Sequence, residues 1–332
     1  MKKIGLFLIV VAFLLSLYFI TVIFEDDDPM TIGVLYSSDN RVDKLDGLKT
    51  GLVDLGYDLD SLKFTAFESE ETPEGLEENA KRLVENEVDV ITSFGGIETQ
   101  VLAKVMEEKN QMIPTVFIGM AAPKEIGIIS DFRHPEGVFT GLSNHHMHLS
   151  AKRLELFIDM VPDVERMILL YSEDIDISRH SLQVAKEAAQ FLGISVQPFH
   201  VGESLDFNAL EDELKPGDGI MTLPSFRIEG QTDQIADFSL YQGVPVMGMY
   251  DYEVESGFLL GYGSSFYEQG VQAARQVSLL LQGNEPSDIP VELPDQISFY
   301  MNETTKKKLD VDMDKNMLKL VEPLHMNGGQ GG

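Results

Sequence analysis

TIGVLYSSDNRVDKLDGLKTGLVDLGYDLDSLKFTAFES, residues 31–69, decides the fold class. TIGVLYSS is a short apolar run rich in strand formers, and Leu45, Leu48, Leu52 and Leu55 then recur at helical spacing up to Gly56. FTAFES supplies the next strand, and the unit repeats. A helix is expected over 75–87, a strand at DVITSFGG (89–96), a helix over 99–110 and a strand at IPTVFIGM (113–120). Strands this continuously apolar are buried on both faces, which requires a parallel sheet covered by helices.

A fresh series starts beyond residues 141–144. A long amphipathic helix (149–161) leads into RMILLYS (166–172), a helix to Gly193 and ISVQPFHV (194–201). A helix near 205–214, DGIMTLPS (218–225), a helix near 233–241 and VPVMGMY (244–250) complete it. After FLLGYG (258–263) comes a helix over 267–283 and an extended connection through Pro286, Pro290 and Pro294. The expected class is therefore α/β: two Rossmann-like lobes with parallel sheets joined by a multi-strand hinge. Lobe 1 is expected to hold 30–142 plus 261–291, and lobe 2 143–260 plus 292–325. The Gly-rich end, 326–332, is expected to be disordered. In open α/β sheets a ligand sits beyond the carboxyl ends of the strands, so the loops after Tyr36, Phe94, Gly119, Tyr171, Leu223 and Met249 should face the cleft.

Composition narrows the function. The 332 residues carry 25 Lys and Arg against 55 Asp and Glu, a formal charge of −30. That charge repels nucleic acid and anionic lipid. The absence of cysteine excludes disulfides, thiolate metal sites, a cysteine nucleophile and a lipid attached through an N-terminal cysteine. Lys2 and Lys3 precede an uncharged stretch, 4–24, that ends at Glu25-Asp26-Asp27-Asp28. Its 21 residues suffice to cross a bilayer core, and no Ala-x-Ala cleavage pattern closes it. Residues 1–24 thus read as a single membrane anchor with an extracytoplasmic ectodomain; a cleaved signal, leaving a secreted or periplasmic protein, is the alternative.

GVLYSS, GLKTGLVDLGY, DVITSFGG, IPTVFIGMAAPKEIGII, PEGVFTGLS, LELFIDMVPDVERMILLYSEDIDIS and YEQGVQAARQVSLLLQGNEPSDIPVELP, with Asn302, occur in that order. Together they resemble the substrate-binding proteins of ABC importers, in the branch that binds aromatic amino acids such as tryptophan. The resemblance implies a periplasmic-binding-protein-like type I fold, a monomer that closes on a small-molecule ligand, an ABC permease as membrane partner, and neither catalysis nor a cofactor. The chain departs from that pattern at several polar positions. Gly95-Gly96 stands where the family has Thr-Pro, Ala122 where it has Asp, and Pro224-Ser225-Phe226, followed by Arg227, where it has Pro-x-Asp. Of the family's Asn-Pro-x-Glu-x-Asn-Ser only Ser178 is matched, in the stretch 172–178.

The ligand-binding residues expected on these grounds are Tyr36, Ser37, Phe94, Gly95, Gly96, Ala121, Asn144, Tyr171, Ser172, Ser178, Ser225, Arg227, Tyr250 and Asp251. Gly95-Gly96 opens a helix whose N–H groups suit a carboxylate; Arg227 would clamp the same group and Asp251 would meet an ammonium. The aromatic residues, with Phe226, suit a flat or apolar ligand, or else belong to the core. His145, His146 and His148 could bind a metal ion, with His180 reaching them from lobe 2; as neighbours on a polar hinge crossing they would point apart. No nucleophile elbow, Walker loop or dinucleotide fingerprint is present. A sensor ectodomain signalling through a partner and a metal-dependent enzyme are the other readings.

Overall fold

The structure, a computed structural model, describes residues 29–38, 41–67 and 72–324. The expected anchor and the Gly-rich tail lie outside these residues. Among the described residues no helix is long and apolar enough to cross a membrane.

The first sheet holds β1 (Met30–Leu35), β2 (Leu62–Ala66), β3 (Val90–Ser93), β4 (Thr115–Met120) and β5 (Phe139–Ser143), in the order β2-β1-β3-β4-β5 and wholly parallel. Ile32 and Val34 of β1, wholly or almost wholly buried, pack on Leu48 and Leu52 of α1 (Val42–Asp54). Leu35 and Ile91 face the other way, toward α2 (Pro73–Glu85) and α3 (Gly96–Lys109). Each fully buried side chain of this size contributes about 1.5–3 kcal/mol.

The second sheet is built from β6 (Arg166–Tyr171), β7 (Ser195–His200), β8 (Asp218–Thr222), β9 (Val246–Gly248), β10 (Leu260–Gly263), β11 (Ser298–Asn302) and β12 (Glu322–Leu324). Its order is β12-β11-β10-β9-β8-β6-β7, and only the β10–β11 pairing is antiparallel. That single reversal departs from the all-parallel expectation. It arises because the chain returns from the first lobe and enters β11 from the opposite end. On one face α4 (His146–Met160) and α5 (Asp176–Leu192) bury Phe157, Met160 and Leu182. On the other lie α6 (Phe207–Glu213) and α8 (Thr232–Gln242), with the short helices α7 (Phe226–Glu229) and α9 (Asp251–Ser256) near the strand ends.

Three segments cross between the sheets. The first follows β5, where Asn144 N–H donates to Met120 O at 3.0 Å. The second, Ser264-Ser265, leads from β10 into α10 (Phe266–Leu281), which docks back on α1. This docking explains two glycine motifs. A Cβ on Gly47 would lie 2.0 Å from Tyr267 O, and one on Gly270 2.1 Å from Lys44 O, so the two helices meet backbone to backbone. The third crossing runs beside the first: Ser143 N–H donates to Glu292 O and Glu292 N–H to Gly141 O, each at 2.9 Å. α11 (Glu303–Leu309), capped by Asn302, follows β11.

Candidate functional site

Between the carboxyl ends of the two sheets lies a cavity of about 260 Å³. Gly96, Gly119, Ala121 and Asn144 line it from the first lobe and its crossing, and Ser225, Phe226 and Glu229 from the second. Five residues expected to bind ligand therefore reach it: Gly96, Ala121, Asn144, Ser225 and Tyr250.

Gly95 and Gly96 turn β3 into α3. Gly95 has φ +138°, a conformation that disfavours side chains, and a Cβ there would sit 2.2 Å from Arg41 Nη1. The space a side chain at position 95 would need is here taken by the Arg41 guanidinium. Gly96 is different, because a Cβ on it would meet nothing closer than Met120 Cγ at 4.0 Å. The first-turn N–H groups of α3 have no intrahelical partner, and Gly96 and Ile97 border the cavity.

Arg41 organises this wall. Its Nη1 donates to Phe94 O at 2.5 Å and its Nε lies 3.3 Å from Glu98 Oε1. Its Nη2 reaches across the cleft to Glu229 Oε2 at 2.8 Å. Burial works against the charge, but the Glu98 and Glu229 carboxylates outweigh it and hold the guanidinium above its ordinary pKa. Glu98 Oε1 also accepts from Ser37 N (3.2 Å) and Ser37 Oγ (2.6 Å). Arg41, Ile97, Phe226 and Glu229 also border an outer space of about 580 Å³, so they form a partition between the two. Neither Arg41 nor Glu229 was marked by a motif: they are 188 residues apart, and no local pattern signals such a pair.

Behind Arg41, Lys44 is wholly buried and donates to Ile118 O at 2.9 Å, tying down the end of β4, with its ammonium 4.4 Å from the centre of the Phe266 ring. Burial first, and the Arg41 charge second, push it down to about 7. The unfolded chain therefore binds a proton that the folded chain lacks between about pH 7 and the lysine's ordinary 10.5, so stability should rise with pH across that window. The gain is at most about 1.4 kcal/mol per pH unit. Melting curves at pH 7 and pH 9 should show the rise in the wild type and its loss in Lys44→Met; a wild-type stability that is flat or falling contradicts the assignment.

Several expected contacts lie elsewhere. Phe94 is a core residue of the first lobe with no exposed surface, and Tyr36 stacks on it at 6.4 Å. Tyr171 packs on the core of the second lobe near His200. Ser172 and Ser178 act behind the cavity wall: Ser172 Oγ is 2.9 Å from Ser225 Oγ, and Ser172 N–H donates to Ser178 Oγ at 2.9 Å. Arg227 does not line the cavity and binds Asp174 at 2.6 Å and Glu203 at 3.3 Å, both in its own lobe. Arg227→Ala should therefore leave solute affinity within about twofold, since the pairs it breaks are solvent-facing and weak; a tenfold loss by calorimetry would return Arg227 to the site. Asp251 starts α9 away from the cavity lining, its carboxyl pushed up to about 6 by burial. The expected clamp and ammonium acceptor are thus not where the strand-end rule placed them, because the short helices α7 and α9 rotate these side chains off the cleft.

The histidines also separate. His145 and His148 stack on each other at 4.4 Å, while His146 turns inward to Arg153. Among the described residues no group of three His, Cys, Asp or Glu side chains could hold a metal ion.

With this geometry established, residues 30–323 match the family model described as ABC transporter substrate binding protein. The chain belongs to that family. It is similar to a protein named tyrosine-binding protein from Clostridioides difficile (strain R20291), 22% identical over 274 residues that cover 80% of this chain and 77% of that protein. Among solved structures it is similar to a conserved domain protein from Vibrio cholerae (TM-score 0.80, 20% identity, 89% of this chain and 99% of that one). The ABC domain from Streptococcus pneumonia in complex with L-Trp superposes with a TM-score of 0.79 at 22% identity, again over 89% and 99% of the two chains. These likenesses agree with the two-lobed α/β fold, which is that of periplasmic-binding-protein-like type I structures.

Proposed function

We propose that this substrate-binding protein captures a small zwitterionic solute of the amino-acid class between its lobes and presents the closed form to an ABC permease for import. The observation that carries the reading is the cavity itself, at the carboxyl ends of both sheets, with the start of α3 open on one wall. A carboxylate suits those N–H groups, where the helix dipole adds to the hydrogen bonds. On the facing rim the carboxylates of Glu229, Asp174 and Asp176 are each held by an arginine, Arg41, Arg227 and Arg179, so an ammonium would share oxygens that are already paired. Ile97, Ile126, Ile175 and Phe226 offer apolar surface for a side chain. The volume of about 260 Å³ lies just below the usual range of about 300–1,000 Å³ for ligand sites, which suits a small solute such as a single amino acid. The names of the tyrosine-binding relative and of the L-Trp complex support an aromatic amino acid.

In this reading the lobes built on the two sheets are rigid bodies that move about the three crossings, and the Arg41–Glu229 pair is a contact of the closed form. The protein works as a monomer outside the cytoplasm, with residues 1–24 as its anchor or as a signal that is removed. Solution scattering of the full-length protein should show compaction on adding L-tyrosine. Identical profiles at saturation, with binding confirmed by calorimetry, would sink the closure.

A further inference from the structure

His146 opens α4 fully buried, yet it borders the interlobe cavity. Its two ring nitrogens have unlike surroundings. Nδ1 forms a hydrogen bond with Arg153 Nη2, and a guanidinium offers donors only. Nδ1 must therefore present its lone pair, which places the ring proton on Nε2. Arg153 has little freedom to do otherwise: it is fully buried, its Nε donates to Tyr262 O at 2.9 Å and its Nη1 to His146 O at 3.2 Å. Burial lowers Arg153 only to about 10, so it stays charged at neutral pH. Burial, and then the charges of Arg153 and Lys44, hold His146 well below the ordinary histidine pKa, so the ring is neutral.

The Nε2–H donor has no acceptor among the described residues. Buried donors are rarely left unpaired, because nothing repays their lost hydration. Its neighbours on the cavity wall cannot take the proton. Asn144 is committed, with Oδ1 accepting from His146 N–H at 3.1 Å and Nδ2 donating to Gly119 O at 2.7 Å. Tyr250 meets the His146 ring edge-on at 4.6 Å, and its oxygen already accepts from Asn144 Nδ2 at 3.4 Å, which leaves its own O–H to give. This corner of the cavity thus presents two neutral donors, His146 Nε2–H and the Tyr250 hydroxyl.

We infer that His146 contacts the bound solute, its Nε2–H donating to an acceptor oxygen of that solute, and that Arg153 is a positioning residue which fixes this tautomer. The inference rests on the cavity being the solute site. It adds a neutral donor corner, distinct from the helix start at Gly96, and it selects solutes with an oxygen acceptor at that end.

Long-range ¹H–¹⁵N spectra of the full-length protein labelled at its seven histidines read the tautomer directly. The expected apo spectrum has one histidine, lost in His146→Gln, with a protonated Nε2 and a bare Nδ1. Saturation with L-tyrosine, followed separately by calorimetry, should shift that Nε2–H signal and slow its exchange. His146→Phe should weaken L-tyrosine binding by about tenfold or more. His146→Gln keeps a donor near the Nε2 position and an acceptor for Arg153, and should retain affinity to within about threefold. A protonated Nδ1, or an unchanged His146 signal at L-tyrosine saturation, overturns the inference, and the wild-type spectra suffice for this if a variant fails to fold. Failure of the wild type to bind L-tyrosine or any other aromatic L-amino acid overturns the amino-acid reading instead, and the tautomer alone then decides the donor assignment.

Discussion

Replacing Gly96 with valine is expected to weaken solute binding by about a hundredfold while leaving the fold intact, a loss of about 2.7 kcal/mol. The fold should tolerate the change because a Cβ at Gly96 would have no heavy atom closer than 4.0 Å. A branched side chain there, however, projects where the solute must approach the first N–H groups of α3, and these are the donors best placed for a carboxylate. Gly96→Ala should fall between the two, since one methyl fills less of the approach. Calorimetry with the three proteins, alongside their melting curves, gives the comparison. Full affinity in a folded Gly96→Val protein would move the carboxylate away from α3.

The second large effect is expected at Arg41. Arg41→Met keeps the length of the side chain and removes its charge, leaving Glu98 and Glu229 buried without their common partner. Stranding buried carboxylates in this way costs about 3–5 kcal/mol. The loss should appear in urea denaturation as a lower midpoint. Because Glu229 belongs to the second lobe, the variant should also relax toward an open form in solution scattering without solute. Glu229→Gln separates the two effects: it loosens the interlobe contact but leaves the Arg41–Glu98 pair inside the first lobe. A stability change below about 1 kcal/mol in Arg41→Met would mean that water already reaches the pair, as at a surface ion pair.

Much of the order of strands and helices was legible in the sequence because the central strands are apolar runs and helices such as α1 repeat their leucines at helical spacing. The antiparallel β11 was not, since SFYMN alternates no differently from a parallel strand and its direction follows from the route through the first lobe. Short elements such as α7 and α9 were missed for want of periodicity, and with them the true positions of Arg227 and Asp251. Within the site, glycine turns and strand-end loops pointed to Gly96, Ala121, Asn144, Ser225 and Tyr250. The aromatic residues Tyr36, Phe94 and Tyr171 do not border the cavity, because a ring at a strand end packs into its own lobe as readily as into a cleft. Arg41, Glu229 and the inward turn of His146 depend on pairings far apart in sequence. One local sign did exist: a glycine at 95 leaves room at the start of α3 for another side chain, and Arg41 fills it.

Capture of an amino-acid solute between the lobes can be read by calorimetric titration of the full-length protein with the aromatic L-amino acids at several temperatures. One of them should bind with one-to-one stoichiometry and a negative heat-capacity change, as burial of apolar surface on closure requires. The same titration should give an affinity about a hundredfold weaker in Gly96→Val. The absence of heat with every one of these amino acids, in a protein shown to be folded, would rule out capture of an aromatic amino acid between the lobes.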